Sequence, residues 1–497
     1  MGIIIRQVTK RSIITYTGVA IGAISTLFIY PLDKETYGLA QFILSMAALL
    51  VPFAGLGVNT LVVRYFPLFR NPESRHHGFL GFLLVYALAA LCLFWGAVAL
   101  FKKPFLQLLD TLHFDVDLFQ DNFLFIGLIL CFLVFSNILE AHSSNFNRVA
   151  IPSIFSNLLQ KVALPVVFLL FLGHYVNLFS FRLVLAGIPF VGLIGMVWYV
   201  GWLGQLHLRL EPAFLTPSLF RQMGNFALFG ILSSLAGTLP FRIDSIMVAS
   251  MIDVGSNGIY SISNFIVNVI EIPYLAIVAI AAPIIAGAFQ RRAQGEIRDL
   301  YRKGSLNLLI AGMLAFLLVW ISVDDLLRLT PRYDELVAGT GVILVLGLTK
   351  AMTMSLGLSN YIIDLSPYYR FNFFNLLVTA VLNIGLNYML IPKYGILGAA
   401  YATGTALLLM NFTGVLFTAI RLKMHPFTWK TLSVVGLASA VYFSSFLFPK
   451  TPWPLANIAL NSAIVVVEFV LPLLLFRVSP DLNRVFGQVK ERFLRMR

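Results

Sequence analysis

The sequence predicts an all-α, polytopic membrane protein with about fourteen transmembrane helices, and its composition is the first reason. Of 497 residues, 59% are hydrophobic and only 11% are charged, and the mean hydropathy is +0.88. Soluble domains carry about 25% charged residues. A chain this apolar cannot cover its surface with polar groups, so its solvent has to be a lipid bilayer. The spacing of the apolar runs and the distribution of basic residues support the same fold class.

Long apolar runs are separated by short polar stretches along the whole chain. A helix needs about 20 residues to cross a hydrocarbon core of about 30 Å. By this measure we expect about fourteen spans, near residues 11–30, 38–62, 79–101, 122–141, 150–172, 178–204, 219–241, 255–288, 304–323, 336–360, 369–391, 395–420, 430–448 and 455–476.

The lysines and arginines orient these spans. When loops are assigned to alternate sides with the N-terminus inside, most of the 35 basic residues fall on the cytoplasmic side. This is the positive-inside pattern, and it predicts that both termini are cytoplasmic. It also explains the net charge of +13 without a nucleic-acid partner. The loops are too short to hold a soluble domain.

Two short stretches of the sequence resemble each other. PLDKETYGLAQF begins at Pro31, and MIDVGSNGIYSI begins at Met251. Further matches occur at nearly the same offset, which spans an even number of helices and therefore predicts a parallel repeat. The aligned landmarks are Asp33 with Asp253, Tyr37–Gly38 with Asn257–Gly258, Pro52 with Pro273, Asn157–Leu159 with Asn375–Leu377, and His174–Tyr175 with Lys393–Tyr394.

The repeat predicts a domain organisation of two six-helix halves plus two additional C-terminal helices. The halves are residues 1–212 and 213–425, the two additional transmembrane helices lie in 426–477, and residues 478–497 form a basic cytoplasmic tail. Two parallel halves enclose a cavity and permit alternating access by rocking. Pro52 and Pro273 interrupt matching spans, so we expect them to kink helices that could act in gating.

Several charged residues lie in or beside the predicted spans. An ionised side chain near the bilayer centre costs about 2.5–3.5 kcal/mol, so it usually faces a cavity and has a function. Lys161, Lys350 and Arg242 are therefore predicted to line a cationic lumen for a phosphate-bearing substrate, with Arg64 as a cytoplasmic entry contact. Lysine offers phosphate a point charge and arginine a bidentate fork. The alternative is that each residue is paired or snorkels to hold helices together.

Two carboxylates are candidates for ion coupling. Glu271 precedes the kink at Pro273, and Asp244 follows the seventh span. Glu271 either carries a proton or sodium ion or pairs with a lysine. Asp244 either couples an ion or neutralises Arg242 locally.

Signals for catalysis are weak. Asp115 and Asp117 form a D-x-D pattern, and Asp324 and Asp325 form an acidic pair, all on the predicted external side. Membrane glycosyltransferases and polymerases use such carboxylates, usually with a large external domain. The histidines are not spaced as metal ligands. The sequence therefore favours a protein that is not an enzyme, with no cofactor and no metal.

The repeated D-x-x-x-[YN]-G-[LI] pattern and IPKYGILGAAYATG at 391–404 resemble the polysaccharide-flippase, or Wzx-type, branch of the MOP superfamily. This resemblance implies flipping of an undecaprenyl-pyrophosphate-linked oligosaccharide across a bacterial plasma membrane for surface polysaccharide biosynthesis. It implies the lipid-linked oligosaccharide and membrane lipid as partners, with a coupling cation (H⁺ or Na⁺) and polysaccharide-assembly proteins as further candidates. The alternative within the superfamily is a cation-coupled MATE-type exporter. Fourteen spans fit the flippase branch better.

Overall fold

The computed structural model describes residues 2–71, 75–209, 211 and 216–495, and within these ranges the regular structure is entirely helical. The helices cluster into two compact units, one of residues up to Gly258 and one from Ile259 onward. The predicted boundary between the halves, at 212/213, lies outside the described residues, and the proposed six-helix halves stay a prediction.

The first unit contains nine helices within its described residues and the start of a tenth. They are α1 (Gly2–Ile24), α2 (Lys34–Ala54), α3 (Val58–Phe69), α4 (Phe79–Thr111), α5 (Val116–Ser144), α6 (Ala150–Ser153), α7 (Leu159–Leu172), α8 (Leu178–Trp202), α9 (Pro217–Met251) and α10 (Val254–Asn268). Two π-helical turns, Ser25–Ile29 and Ile154–Leu158, interrupt the first and fifth expected spans.

The second unit begins within α10 and is also helical in its described part. Its helices are α11 (Ile272–Gln290), α12 (Gln294–Ile321), α13 (Val323–Arg328), α14 (Tyr333–Leu336), α15 (Thr340–Leu356), α16 (Leu358–Asp364), α17 (Tyr369–Tyr394), α18 (Ile396–Arg421), α19 (Trp429–Ser444), α20 (Pro454–Leu475) and α21 (Pro480–Arg495).

The helices are long and apolar enough to confirm a multi-pass membrane fold. Twelve stretches of the described chain meet this standard. One of them, Lys10–Ala54, is 45 residues long and contains the first expected span and most of the second. The eighth expected span is divided into α10, a 3-10 turn at Val269–Glu271, and α11. The structure is thus compatible with fourteen spans, and that count stays a prediction.

The two similar sequence stretches form the same local structure. The Asp33 carboxylate caps α2 by accepting from the Thr36 amide at 3.0 Å, and the Thr36 hydroxyl donates to its other oxygen at 2.7 Å. Asp253 makes the equivalent pair of bonds with Ser256, both at 2.7 Å. A carboxylate that caps a helix satisfies amides the helix itself leaves unbonded. The aligned aspartates therefore do the same structural task in each copy.

The starts of α2 and α10 also pack directly on each other. A Cβ at Gly38 would lie 1.7 Å from the carbonyl oxygen of Val254, and one at Gly258 would lie 2.0 Å from that of Lys34. The side-chain amide of Asn257 donates to the backbone carbonyl of Gly38 at 2.7 Å. Because only glycine permits so close an approach, both glycines of the repeated pattern have a physical reason to be there.

The two prolines of the repeat stand beside true helix breaks. Pro52 is in the last turn of α2, and the chain then passes through Leu56 (φ 42°) and Gly57 (φ 70°) before α3 begins. Pro273 occupies the first turn of α11, directly after the 3-10 turn. Proline fits a first turn because the amide it lacks has no helical partner there. The expected kinks are therefore helix breaks. Pro52 lies just before the break between α2 and α3, and Pro273 lies just after the break between α10 and α11.

Each unit has its own apolar core. In the first unit, Leu61, Phe66, Leu83 and Ile138 are fully buried or nearly so where α3, α4 and α5 meet. In the second, a core on α12 and α15 continues onto α19 and α20. The basic tail forms α21. The side-chain amide of Asn307, on α12, donates to the carboxylate of Asp481 in the first turn of α21 at 2.9 Å.

Candidate functional site

Lys161 lies within a membrane span of the first unit. It is in the first turn of α7, directly after the π-helical turn Ile154–Leu158, and its side chain is half-buried. The side chain passes over Gly18 of α1, where an added Cβ would lie 3.1 Å from its Cδ and 3.6 Å from its Nζ. The glycine thus leaves room for the lysine between the two helices.

Lys161 has neither an ion pair nor a hydrogen bond to any part of the chain that the structure describes. Its positive charge is therefore not neutralised locally by a carboxylate. Since a charged group in a membrane span is expensive unless it reaches water, a partner or a ligand, this lysine is the strongest candidate for a substrate contact.

Polar side chains line two cavities in the same unit. One, of about 80 Å³, is bordered by Ser136, Asn137, Ser156 and Gln160, the last directly before Lys161. The other, of about 290 Å³, shares Asn137 and is bordered by further polar residues: Arg11, Asn59, Glu140 and Ser144. Asn137 borders both cavities, so polar side chains extend from α7 to the end of α5 that is predicted to be cytoplasmic.

Lys350 is placed differently, although the sequence criterion treated it like Lys161. It lies on α15 in the second unit, and its ammonium donates to the Glu271 carboxylate at 2.5 Å. The exposed fractions of the two side chains are 8% and 33%. The structure thus joins a predicted lumen lysine with a predicted coupling carboxylate, and the pair has no net charge.

Aromatic hydroxyls and a second carboxylate surround this ion pair. Tyr274 and Tyr361 lie close enough to Glu271 to interact with it electrostatically. Gly357 makes room for Tyr274, because an added Cβ there would lie 2.8 Å from the tyrosine hydroxyl. Asp364 accepts from the Asn372 amide at 2.7 Å at the end of α16. These groups make the pair part of a polar region.

Arg242 and Asp244 lie on one continuous helix, α9, and not in a loop after a seventh span. Arg242 is exposed, whereas Asp244 is 5% exposed. The two do not form an ion pair with each other. The expected local neutralisation of Arg242 by Asp244 is therefore absent from this conformation.

Arg64 is exposed on α3, and its guanidinium carbon lies 5.9 Å from the centre of the Phe226 ring on α9. A cation at this distance is attracted by the ring face. The contact gives Arg64 a structural role within the first unit, and its proposed role as an entry contact is untested.

The acidic residues that raised a catalytic alternative have structural partners. Asp115 caps α5 by accepting from the Leu118 amide at 3.0 Å. Asp324 pairs with Arg328 at 2.9 Å and raises its pKa. Asp325 accepts from the Asn457 amide at 3.0 Å. Asp115, Asp324 and Asp325 thus each have a structural contact.

One charged and three uncharged polar residues near the candidate site residues were not predicted from the sequence. Glu140 lies inside the expected fourth span, so the criterion that selected Glu271 was sufficient to find it. Asn137, Gln160 and Tyr274 are uncharged, and no sequence signal separates them from other polar residues in membrane helices. Their positions depend on which helices pack together.

The chain matches the sequence profile of the family described as "Polysaccharide biosynthesis protein" over residues 14–289. That match covers more than half of the chain, from the second half of α1 through α10 and most of α11. No curated protein matches it.

Solved transporter structures share the fold. The lipid II flippase MurJ in an inward closed conformation superposes with a TM-score of 0.66 at 14% identity, over 93% of this chain and 98% of MurJ. An inward-facing multidrug resistance MATE family transporter gives 0.63 at 11% identity, over 82% and 94%. A MOP superfamily transporter from Pyrococcus furiosus gives 0.52 at 11%, over 85% and 95%. At these identities the likeness establishes the fold. The expected resemblance to the polysaccharide-flippase family is confirmed by the family match over residues 14–289.

Proposed function

Because this chain belongs to the polysaccharide biosynthesis protein family of MOP-type membrane transporters, we propose that it flips a lipid-linked oligosaccharide for surface polysaccharide assembly. The substrate carries an undecaprenyl pyrophosphate, and the membrane is a bacterial plasma membrane with both termini of the chain in the cytoplasm. Transport proceeds by alternating access between two halves. The polyprenyl tail stays in lipid while the diphosphate and sugar cross through the protein.

The observation that carries this proposal is the ammonium of Lys161, which lies in a membrane span and has no ion pair with any residue that the structure describes. A diphosphate brings negative charges into a medium where charge is costly, and it needs a cation to offset that cost. Lysine provides a compact charge with three donors that can follow a moving phosphate. The serine, asparagine and glutamine side chains of the adjacent cavity offer hydrogen bonds of the kind that sugars accept and donate.

Lys350 has a second role in this scheme. Its charge is held by Glu271, so the pair is neutral until a phosphate displaces the carboxylate or a proton neutralises it. Either event removes the Glu271 carboxylate as a competitor of the substrate phosphate for this cation. Lys161 is then the standing phosphate ligand, and Lys350 is a ligand available in only one state of the pair.

The test is surface glycan produced by a deletion strain that carries single variants. Lys161→Ala should abolish surface glycan and cause the lipid-linked intermediate to accumulate, while Lys161→Arg should keep part of the activity. Lys393→Ala is the matched control, because it removes an exposed lysine from the end of α17. All variants have to accumulate in the membrane at similar levels. Normal glycan in Lys161→Ala would refute the assignment of Lys161.

A second test moves the lysine without removing its charge. Gly18→Val would place methyl groups against the Lys161 side chain, whose Cδ is only 3.1 Å from an added Cβ. We expect reduced glycan with the charge intact. Gly96→Val is the control, since nothing lies within 4 Å of an added Cβ there. Equal glycan in the two variants would contradict a role for the position of Lys161.

A cation-coupled exporter of the MATE type is the second candidate, and Glu271 is the observation that favours it. A partly exposed intramembrane carboxylate beside tyrosines is able to exchange its lysine partner for a proton or sodium ion. This function predicts drug resistance on expression and its complete loss in Glu271→Gln. Resistance without any effect on surface glycan would replace the flippase proposal.

A further inference from the structure

An apolar groove of about 310 Å³ opens on the first unit, away from the polar cavities and from Lys161. Residues of α2, α4 and α5 line it, and the exposed surface inside it is almost entirely apolar. Aromatic rings form much of the lining, with Trp95 meeting Phe123 edge to face at 5.6 Å. Gly127 allows this ring arrangement, because an added Cβ there would lie 2.7 Å from the Trp95 ring.

The groove has a basic end. Lys102 borders it, and its ammonium lies 4.9 Å from the centre of the Phe123 ring. Lys103 is adjacent in the sequence, and both lysines are exposed. Lys102 has no ion pair within the described part of the chain. Lys102 is thus free to meet an anion, and Lys103, which does not line the groove, adds a second positive charge beside it in the sequence.

The dimensions of the groove match one leaflet of a bilayer. Along α5 it extends from Gln120 to Leu130, which at 1.5 Å per residue is about 15 Å. Half of a hydrocarbon core of about 30 Å is the same length. Lys102 meets the groove beside Phe123, about one turn of α5 from the Gln120 end, and the lining continues from there to Leu130, near the middle of the expected fourth span.

We propose that this groove binds an anionic phospholipid of the leaflet predicted to be external. One acyl chain lies along the aromatic lining between α4 and α5, and the phosphate meets Lys102 and Lys103. The charge of the groove's end selects an anionic headgroup over a zwitterionic one. A phospholipid fits better than the lipid-linked oligosaccharide, because the lining offers almost no polar surface for sugar. The site is separate from the proposed substrate path.

The test is native mass spectrometry of the whole protein after delipidation, with phosphatidylglycerol and phosphatidylcholine added in turn. We expect preferential retention of phosphatidylglycerol. Each lysine near a charged lipid surface contributes a factor of about five, so Lys102→Ala with Lys103→Ala should weaken that retention about 30-fold. Lys450→Ala removes another exposed lysine from the predicted external side and should change nothing. Equal retention in the double variant and this control would overturn the proposal.

The acyl-chain part of the site is tested separately. Ala97→Trp should fill the groove and reduce retention of phosphatidylglycerol while both lysines stay in place. Phosphatidylglycerol with brominated chains should quench the fluorescence of Trp95, which is identified as the part of the emission that is lost in Trp95→Phe. Unchanged retention in Ala97→Trp, or no quenching of Trp95, would show that the charges act alone and would refute a groove site. Binding of undecaprenyl pyrophosphate at Lys102 in preference to phosphatidylglycerol would overturn the choice of ligand.

Discussion

The ion pair between Lys350 and Glu271 predicts an unequal response to the removal of each partner. The ammonium is in a side chain that is 8% exposed, whereas the carboxylate side chain is 33% exposed. Glu271→Gln leaves a buried cation without its carboxylate, and breaking a buried pair in this way costs about 3–5 kcal/mol. Lys350→Met leaves an anion that water reaches or a proton neutralises, so its cost should be nearer to about 1–3 kcal/mol.

The double variant completes the cycle. With both charges removed, no buried charge is left without its partner, and the free energy of unfolding should return to within about 1 kcal/mol of that of the native protein. The two single variants together cost about 4–8 kcal/mol, so the coupling free energy is at least about 3 kcal/mol, which is large for a single pair. Equilibrium unfolding in mixed micelles gives the three free-energy differences.

Two outcomes would refute this reasoning. If Lys350→Met lowers the free energy of unfolding as much as Glu271→Gln or more, the exposure of the remaining side chain does not decide which substitution is more destabilising. If the double variant equals the sum of the single variants, the 2.5 Å contact contributes no coupling in the membrane.

The packed helix starts give two further predictions. Gly38→Ala and Gly258→Ala should each reduce the yield of folded, monodisperse protein, because the added methyl group meets a carbonyl oxygen at about 2 Å or less. Gly187→Ala is the control and should not reduce the yield, because nothing lies within 4 Å of an added Cβ there. An equal yield for all three variants would contradict the close packing. Asp33→Ala and Asp253→Ala should destabilise by similar amounts, about 1 kcal/mol each, since each removes the same cap. Unfolding in mixed micelles measures this, and a cost for only one of them would show that the caps are not equivalent.

The features predicted correctly from the sequence depend on composition or on local pattern. Apolar runs fix which segments enter the membrane, because hydrocarbon excludes unpaired backbone groups whatever the tertiary packing. The aspartate caps were not predicted, although each joins residues only three positions apart in the repeated pattern. The glycines of the repeated pattern were visible as a motif, although the contact that explains them joins residues far apart in the chain.

The charge state of the candidate site could not be predicted in the same way. Lys161 and Lys350 satisfied the same criterion, yet one has no ion pair in the described chain and the other contacts a carboxylate 79 residues away. Such a pair depends on which helices pack together, and hydrophobic periodicity carries no information about that choice. Glu140 is different, because its position within an expected span was sufficient to find it.

The difference between the two lysines bears on how a flippase would release its substrate. A phosphate held by an ammonium group with no competing carboxylate would be slow to leave, and transport requires a site weak enough to leave. On the proposed function, Lys161 supplies constant attraction, whereas Lys350 contributes only while Glu271 is displaced or protonated. Return of the Glu271 carboxylate to Lys350 would expel a phosphate from that lysine, so the ion pair gives Lys350 a release step that Lys161 does not have.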